Sequence, residues 1–129
     1  MFTSEAITRG IRVHVLSQYA PGNSQPANNQ WRFVYTVTIT NEGQETVQLV
    51  TRHWVITDGA GHVDEVRGPG VVGKQPILRP GESFQYTSSC PLATPFGIME
   101  GTYEMVTDAG DRFDARVAPF TLSEPYTVH

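Results

Sequence analysis

The sequence predicts an all-β chain folded as an antiparallel β-sandwich of seven to eight strands. Three observations carry this. Apolar residues recur at every second position in segment after segment, which is the period of a strand with one buried face. No stretch longer than eight residues shows the 3.6-residue period of a helix. Nine prolines and twelve glycines punctuate the chain, and they interrupt candidate helices while supplying turns.

The elements follow in order. "IRVHVLSQY" alternates through Ile11, Val13 and Val15. A long polar loop, Ala20 to Gln30, comes next and is expected to be mobile. "WRFVYTVTIT" places Trp31, Phe33, Tyr35, Val37 and Ile39 on one face, and Arg32, Val34, Thr36, Thr38 and Thr40 on the other. "NEGQE" supplies turn residues, with Gly43 free to take positive φ. In "TVQLVTRHWVIT" the apolar parity changes between Thr51 and His53, which implies a bulge or burial on both sides. "DGAG", Asp58 to Gly61, marks a hairpin leading into "HVDEV". "ESFQYTSS", "TYEMVTDA" and "RFDARVAPFTL" complete the strands, and "TPFGIME" suits one helical turn.

At 129 residues the chain has the length of one domain, 1–129. A net charge of −4 and a pI near 5.4 argue against nucleic-acid binding, which rests on cationic contacts to phosphate. No segment approaches the ~20 apolar residues of a membrane span, and the N-terminus carries no cleavage-type signal. The single cysteine, Cys90, has no partner for an internal disulfide, so a cytoplasmic location is expected.

One motif raises a functional question. Gly68, Gly70 and Gly73 spell G-x-G-x-x-G, and Lys74 follows. A dinucleotide fingerprint needs a helix after the loop so that its N-terminus meets the pyrophosphate. Pro76 and Pro80 block that helix. A phosphate loop needs Ser or Thr where Gln75 stands. Two readings remain. The glycines satisfy backbone conformation in a connection between strands. Alternatively, consecutive N–H groups form an anion-binding concavity, flanked by Arg67, Lys74 and Arg79 and weakened by Pro69, which lacks a donor.

The run "RGPGVVGKQPILRPGESFQYTSSCPLATPFGIMEGTYEMV", Arg67 to Val106, resembles the signature region of the bacterial ApaG family. "ITRGIRVHV", "YTVTITNEG", "RHWVITDGAGHVDEV" and "PFTL" resemble it too, so the likeness covers nearly the whole chain. The resemblance implies a fibronectin type III-like sandwich, with the family's glycine motif on Gly68, Gly70 and Gly73. It implies a gene linked with that of a diadenosine tetraphosphate hydrolase, and a link to cobalt and magnesium resistance. It implies no established enzymatic activity. Similar domains in eukaryotic F-box proteins and in a polymerase-interacting protein look like interaction modules.

Other groups offer candidate sites. His14, His53, His62 and His129 form no ligand pair at short spacing. His62 lies near Asp58, Asp64 and Glu65, donors suited to a divalent ion, but the spacing fits no calcium loop and no metal site is expected. Cys90 reads as a buried structural thiol, with no activating base nearby in sequence. Ser88 and Ser89 stand outside a G-x-S-x-G elbow. Leu92, Phe96, Ile98 and Met99 lie in a connection broken by Pro and Gly, where they plug one end of the sandwich or form an apolar patch for a partner. The expected function is a non-enzymatic interaction domain without a cofactor. It binds an unidentified protein, or a second copy as a homodimer, through a sheet edge or the loops Arg67–Pro80 and Pro91–Glu100. The alternative is a module binding pyrophosphate or a nucleotide polyphosphate at Gly68–Lys74.

Overall fold

A computed structural model describes residues 1–125; His129 lies outside the described residues. Nine strands follow in order: β1 (Phe2–Thr8), β2 (Ile11–Tyr19), β3 (Trp31–Asn41), β4 (Val47–Asp58), β5 (Val63–Pro69), β6 (Ile77–Leu78), β7 (Ser83–Leu92), β8 (Phe96–Thr107) and β9 (Arg112–Ser123). They form two antiparallel sheets, one ordered β1-β2-β3-β7 and the other β5-β4-β8-β9, with β6 paired to the start of β4. This is a sandwich of the fibronectin type III or immunoglobulin-like kind.

The expected strands are present, and two were not foreseen. β6 has only two residues. β1 is an edge strand whose inward residues Ser4, Ala6 and Thr8 are only half-buried, so it carries no apolar alternation. Its inward hydroxyls close one side of the sandwich. Ser4 Oγ donates to the Ala118 carbonyl at 2.9 Å, and Thr8 Oγ1 accepts from the Arg116 N–H at 3.0 Å.

Two local expectations are corrected. "TPFGIME" holds no helical turn: Phe96 already begins β8. Gly43 does not take positive φ. "NEGQE" crosses between sheets rather than closing a hairpin, and Gly43 packs against Gly10, where a Cβ would come within 2.6 Å of the Gly43 Cα. The Ala20–Gln30 loop contains two 3-10 turns, Pro21–Asn23 and Pro26–Asn28. It is tied to β3 through Ser24 Oγ, which accepts from the Arg32 N–H at 2.8 Å.

The core is aromatic where the sheets meet. Trp54 makes edge-to-face contacts with Tyr35, Tyr103 and Phe120 at centroid distances of 5.6, 5.9 and 6.0 Å. Such pairs contribute about 0.5–1.5 kcal/mol beyond area burial. Tyr86 on β7 and Tyr103 on β8 join their hydroxyls across the sandwich. No helix among the described residues is long and apolar enough to cross a membrane.

Candidate functional site

The glycine loop is organised by a bulge in β4. Leu49 pairs with Met105 and Thr51 with Glu104, so Val50 is the extra residue. The Val50 carbonyl accepts from the Gly70 N–H at 2.8 Å and from Gln75 Nε2 at 2.9 Å. Gln75, the residue that breaks the phosphate-loop pattern, is thus part of the brace. Each glycine then has its own reason. A Cβ on Gly68 would lie 3.0 Å from the Arg52 guanidinium, and one on Gly70 would lie 2.2 Å from the Lys74 carbonyl oxygen. Gly73 has φ +78° and follows Val72 at φ +44°. Two positive φ values at the centre of a tight turn are the type I′ pattern. The turn is closed by reciprocal bonds, Val71 N–H to Lys74 at 2.8 Å and Lys74 N–H to Val71 at 2.9 Å.

The N–H groups of Gly70, Val71 and Lys74 are therefore engaged with backbone carbonyls, and no run of free donors faces outward from them. The flanking cations are also dispersed. Arg67 stands opposite His53 in the β4–β5 register, whereas Leu78, next to Arg79, stands opposite Val47. Six strand residues span about 20 Å. Arg67 also lies 3.7 Å from Glu65.

The Pro91–Glu100 residues divide. Leu92 and Met99 are buried, at 7% and 2% exposure, and belong to the core rather than to a surface patch. Phe96 and Ile98 are 44% and 48% exposed. Ile98 and Val63 both pair with Thr57, from β8 and β5. Val63 is itself 53% exposed. The two side chains flank Thr57 in a row on the outer face of the sheet, with Phe96 two residues along from Ile98 on the same face. β5 is also an edge strand. The Asp58 N–H donates to His62 and the Gly70 N–H to Val50, so the even-numbered residues bond β4. The N–H groups of Val63, Glu65 and Arg67 then point away from the sheet.

On the side opposite the β1–β9 contact, β5 and β7 do not pair. The sheets part there around a cleft of about 300 Å³. Its walls include Tyr35, Arg52, Trp54, Val66, Val71, Tyr86 and Ser88. Arg52 and Ser88 were not singled out as binding residues in the sequence. The signal was the parity change: once Val50 is counted as a bulge, Arg52 falls on the inward face with Trp54.

Among the described residues, no group of three His, Cys, Asp or Glu side chains is arranged to hold a metal ion. Asp58 Oδ1 accepts the N–H groups of Ala60 and His62 at 2.9 Å each, capping its hairpin. His62 Nε2 sits 3.2 Å from Asp64, and His53 Nε2 sits 2.8 Å from Glu65. Burial pushes the Cys90 thiol up to about 11, which leaves it protonated and unreactive at neutral pH.

Comparison with known proteins adds the following. A family model described as the ApaG domain matches residues 21–107. Protein ApaG of Rhodospirillum centenum is 55% identical over 120 residues, covering 93% of this chain and 92% of its own length. Protein ApaG of Aromatoleum aromaticum is 48% identical over 126 residues, covering 98% and 99%. The crystal structure of a Bordetella pertussis protein described as ApaA superposes with a TM-score of 0.88 at 51% identity, covering 91% of this chain and 95% of that one.

Proposed function

The chain belongs to the ApaG family, and from that premise we propose that it is a non-enzymatic protein-interaction module. Its partner docks on the outer face of the β4–β5–β8 sheet, beside the free edge of β5. The observation that carries this is the outward-facing apolar row of Val63 and Ile98, on either side of Thr57, and Phe96, each at least two-fifths exposed, next to unpaired main-chain donors. Solvent-facing positions on a sheet ordinarily hold polar side chains, and a grouped exception marks a contact surface. Strand addition along β5 supplies main-chain bonds, while the row supplies apolar burial. Among the described residues no nucleophile–base pair is assembled, which supports the non-enzymatic half of the reading: His53 and His62 are engaged with Glu65 and Asp64, and Cys90 is buried.

The test is a photo-crosslinking residue placed at Ile98 in cells, with the same residue at Gln85, exposed on β7 of the opposite sheet, as the control. Discrete adducts at 98 and none at 85 are expected. An adduct of twice the chain mass would identify a homodimer. No adduct at 98, or the same pattern at both positions, would overturn the proposal.

A second reading rests on one observation. The amides of Val72 and Gly73 have no protein acceptor among the described residues, and Lys74 adjoins them. They suit a weak pyrophosphate or nucleotide polyphosphate contact at the turn. Lys74→Glu would abolish spectral shifts on adding pyrophosphate and leave the fold unchanged.

A further inference from the structure

We propose that the cleft between β4–β5 and β7 is a binding site for a small organic anion, a carboxylate or phosphate carried on a flat apolar body. The argument begins with two violations of the inward-apolar pattern. Arg52 follows the β4 bulge on the same face as buried Trp54. Ser88 sits between buried Tyr86 and Cys90 on the inward face of β7. Both lie on the walls of the cleft, one from each sheet. Polar residues at inward positions break the rule that otherwise builds this core, and such breaks concentrate at functional sites.

Arg52 is held in place but is not neutralised. Its Nη1 donates to the Pro69 and Gly70 carbonyls at 3.0 Å each, and its guanidinium lies flat against Gly68. It pairs with no carboxylate among the described residues, which is true also of Arg32, Arg79 and Arg116. A half-buried guanidinium whose position is fixed by carbonyls, with Nη2 and Nε uncommitted to acceptors among the described residues, is a preorganised fork for a carboxylate or phosphate. The hydroxyls of Tyr35 and Ser88, opposite each other in the β3–β7 register, supply further polar contacts.

Much of the remaining wall is apolar, including Trp54, Ile56, Val66, Val71 and Met99, with Ser89 a further polar residue on it. A volume of about 300 Å³ is at the lower end of small-ligand sites. Val72, also on the wall, holds a β-branched side chain at φ +44°. That conformation is unfavourable for valine, and strain of this kind clusters at ligand sites.

The test is an amide NMR titration of the full chain with phenyl phosphate, benzoate, neutral benzyl alcohol and inorganic pyrophosphate. Saturable shifts at Val66, Ser88 and the Trp54 indole are expected with at least one aromatic anion, at least tenfold weaker with benzyl alcohol. The responding anion assigns phosphate or carboxylate. Arg52→Met should weaken binding at least tenfold. Should that variant fail to fold, Ser88→Phe, which fills the cleft from the other sheet, gives the same readout. Equal binding of benzyl alcohol, undiminished binding in the variant, or no response to either aromatic anion at millimolar concentration would overturn the proposal. Pyrophosphate shifts confined to Val72–Lys74, with Val66 and Ser88 silent to the aromatic anions, would overturn it too.

Discussion

Gly68, Gly70 and Gly73 share a motif but not a role. Gly68 makes room for a guanidinium, Gly70 for a carbonyl oxygen, and Gly73 occupies a positive-φ position facing open space. Substitutions should therefore differ sharply. Gly70→Ala puts a Cβ into the Lys74 carbonyl oxygen at φ +61°, and should cost about 2–4 kcal/mol. Val72→Asn should have the opposite sign. It creates Asn-Gly, the preferred type I′ pair, and relieves a valine at φ +44°, for a gain of about 0.5–1 kcal/mol. Urea unfolding of both variants checks this. A neutral Gly70→Ala would mean that the loop relaxes away from Lys74, and a destabilising Val72→Asn would mean that Val72 packs more than it strains.

β4 is the element on which fold and cleft both depend. Its bulge switches the inward set from Val47 and Leu49 to Arg52 and Trp54. Deleting Val50, the extra residue, would restore strict alternation with Leu49, Arg52 and Trp54 still inward and Thr51 and His53 still outward. It would also remove the carbonyl that accepts from Gly70 and Gln75. The expected result is a folded variant that keeps the near-ultraviolet signal of Trp54 but loses about 1–3 kcal/mol, because the Gly70 and Gln75 donors lose their acceptor; loss of the Trp54 signal would mean that β4 shifts register instead. Sequence reading reached this element because Trp54, His53 and Leu49 declare the parity change. β3 was plainer still, since Phe33, Tyr35, Val37 and Ile39 all point inward. The start of β8 was not legible, because its pattern is inverted. Gly97 and Gly101 face inward, where a Cβ would lie 2.6 Å from the Thr57 and 2.0 Å from the His53 carbonyl oxygens, while Phe96 and Ile98 face out. Periodicity reports which residues are apolar, not which face they take when glycine occupies the core side. The cleft was hidden for a related reason: Arg52 and Ser88 meet only when the two sheets are superposed, and no spacing along the chain records that.

At the scale of the molecule, the sandwich is closed where β1 packs on β9 and parted where β5 and β7 fail to pair. Four weak acids cluster toward the parted side: Tyr35, Tyr86, Cys90 and, across the interior, Tyr103. Burial raises all four above their ordinary values, Cys90 from 9.0 to about 11. The sign of the linkage follows. Above pH 9 the unfolded chain releases these protons while the folded chain retains them, so the unfolded state binds fewer protons and stability falls as pH rises. Each group contributes a slope of up to about 1.4 kcal/mol per pH unit between its unfolded and folded values. For Cys90 that window runs from pH 9 to about 11; the tyrosines begin near pH 10. Urea midpoints should therefore fall steeply from pH 9 upward, and Cys90→Val should flatten the first part of the fall. A midpoint unchanged through pH 10.5 would mean that water reaches these groups through the cleft and that their burial is not what sets their protonation.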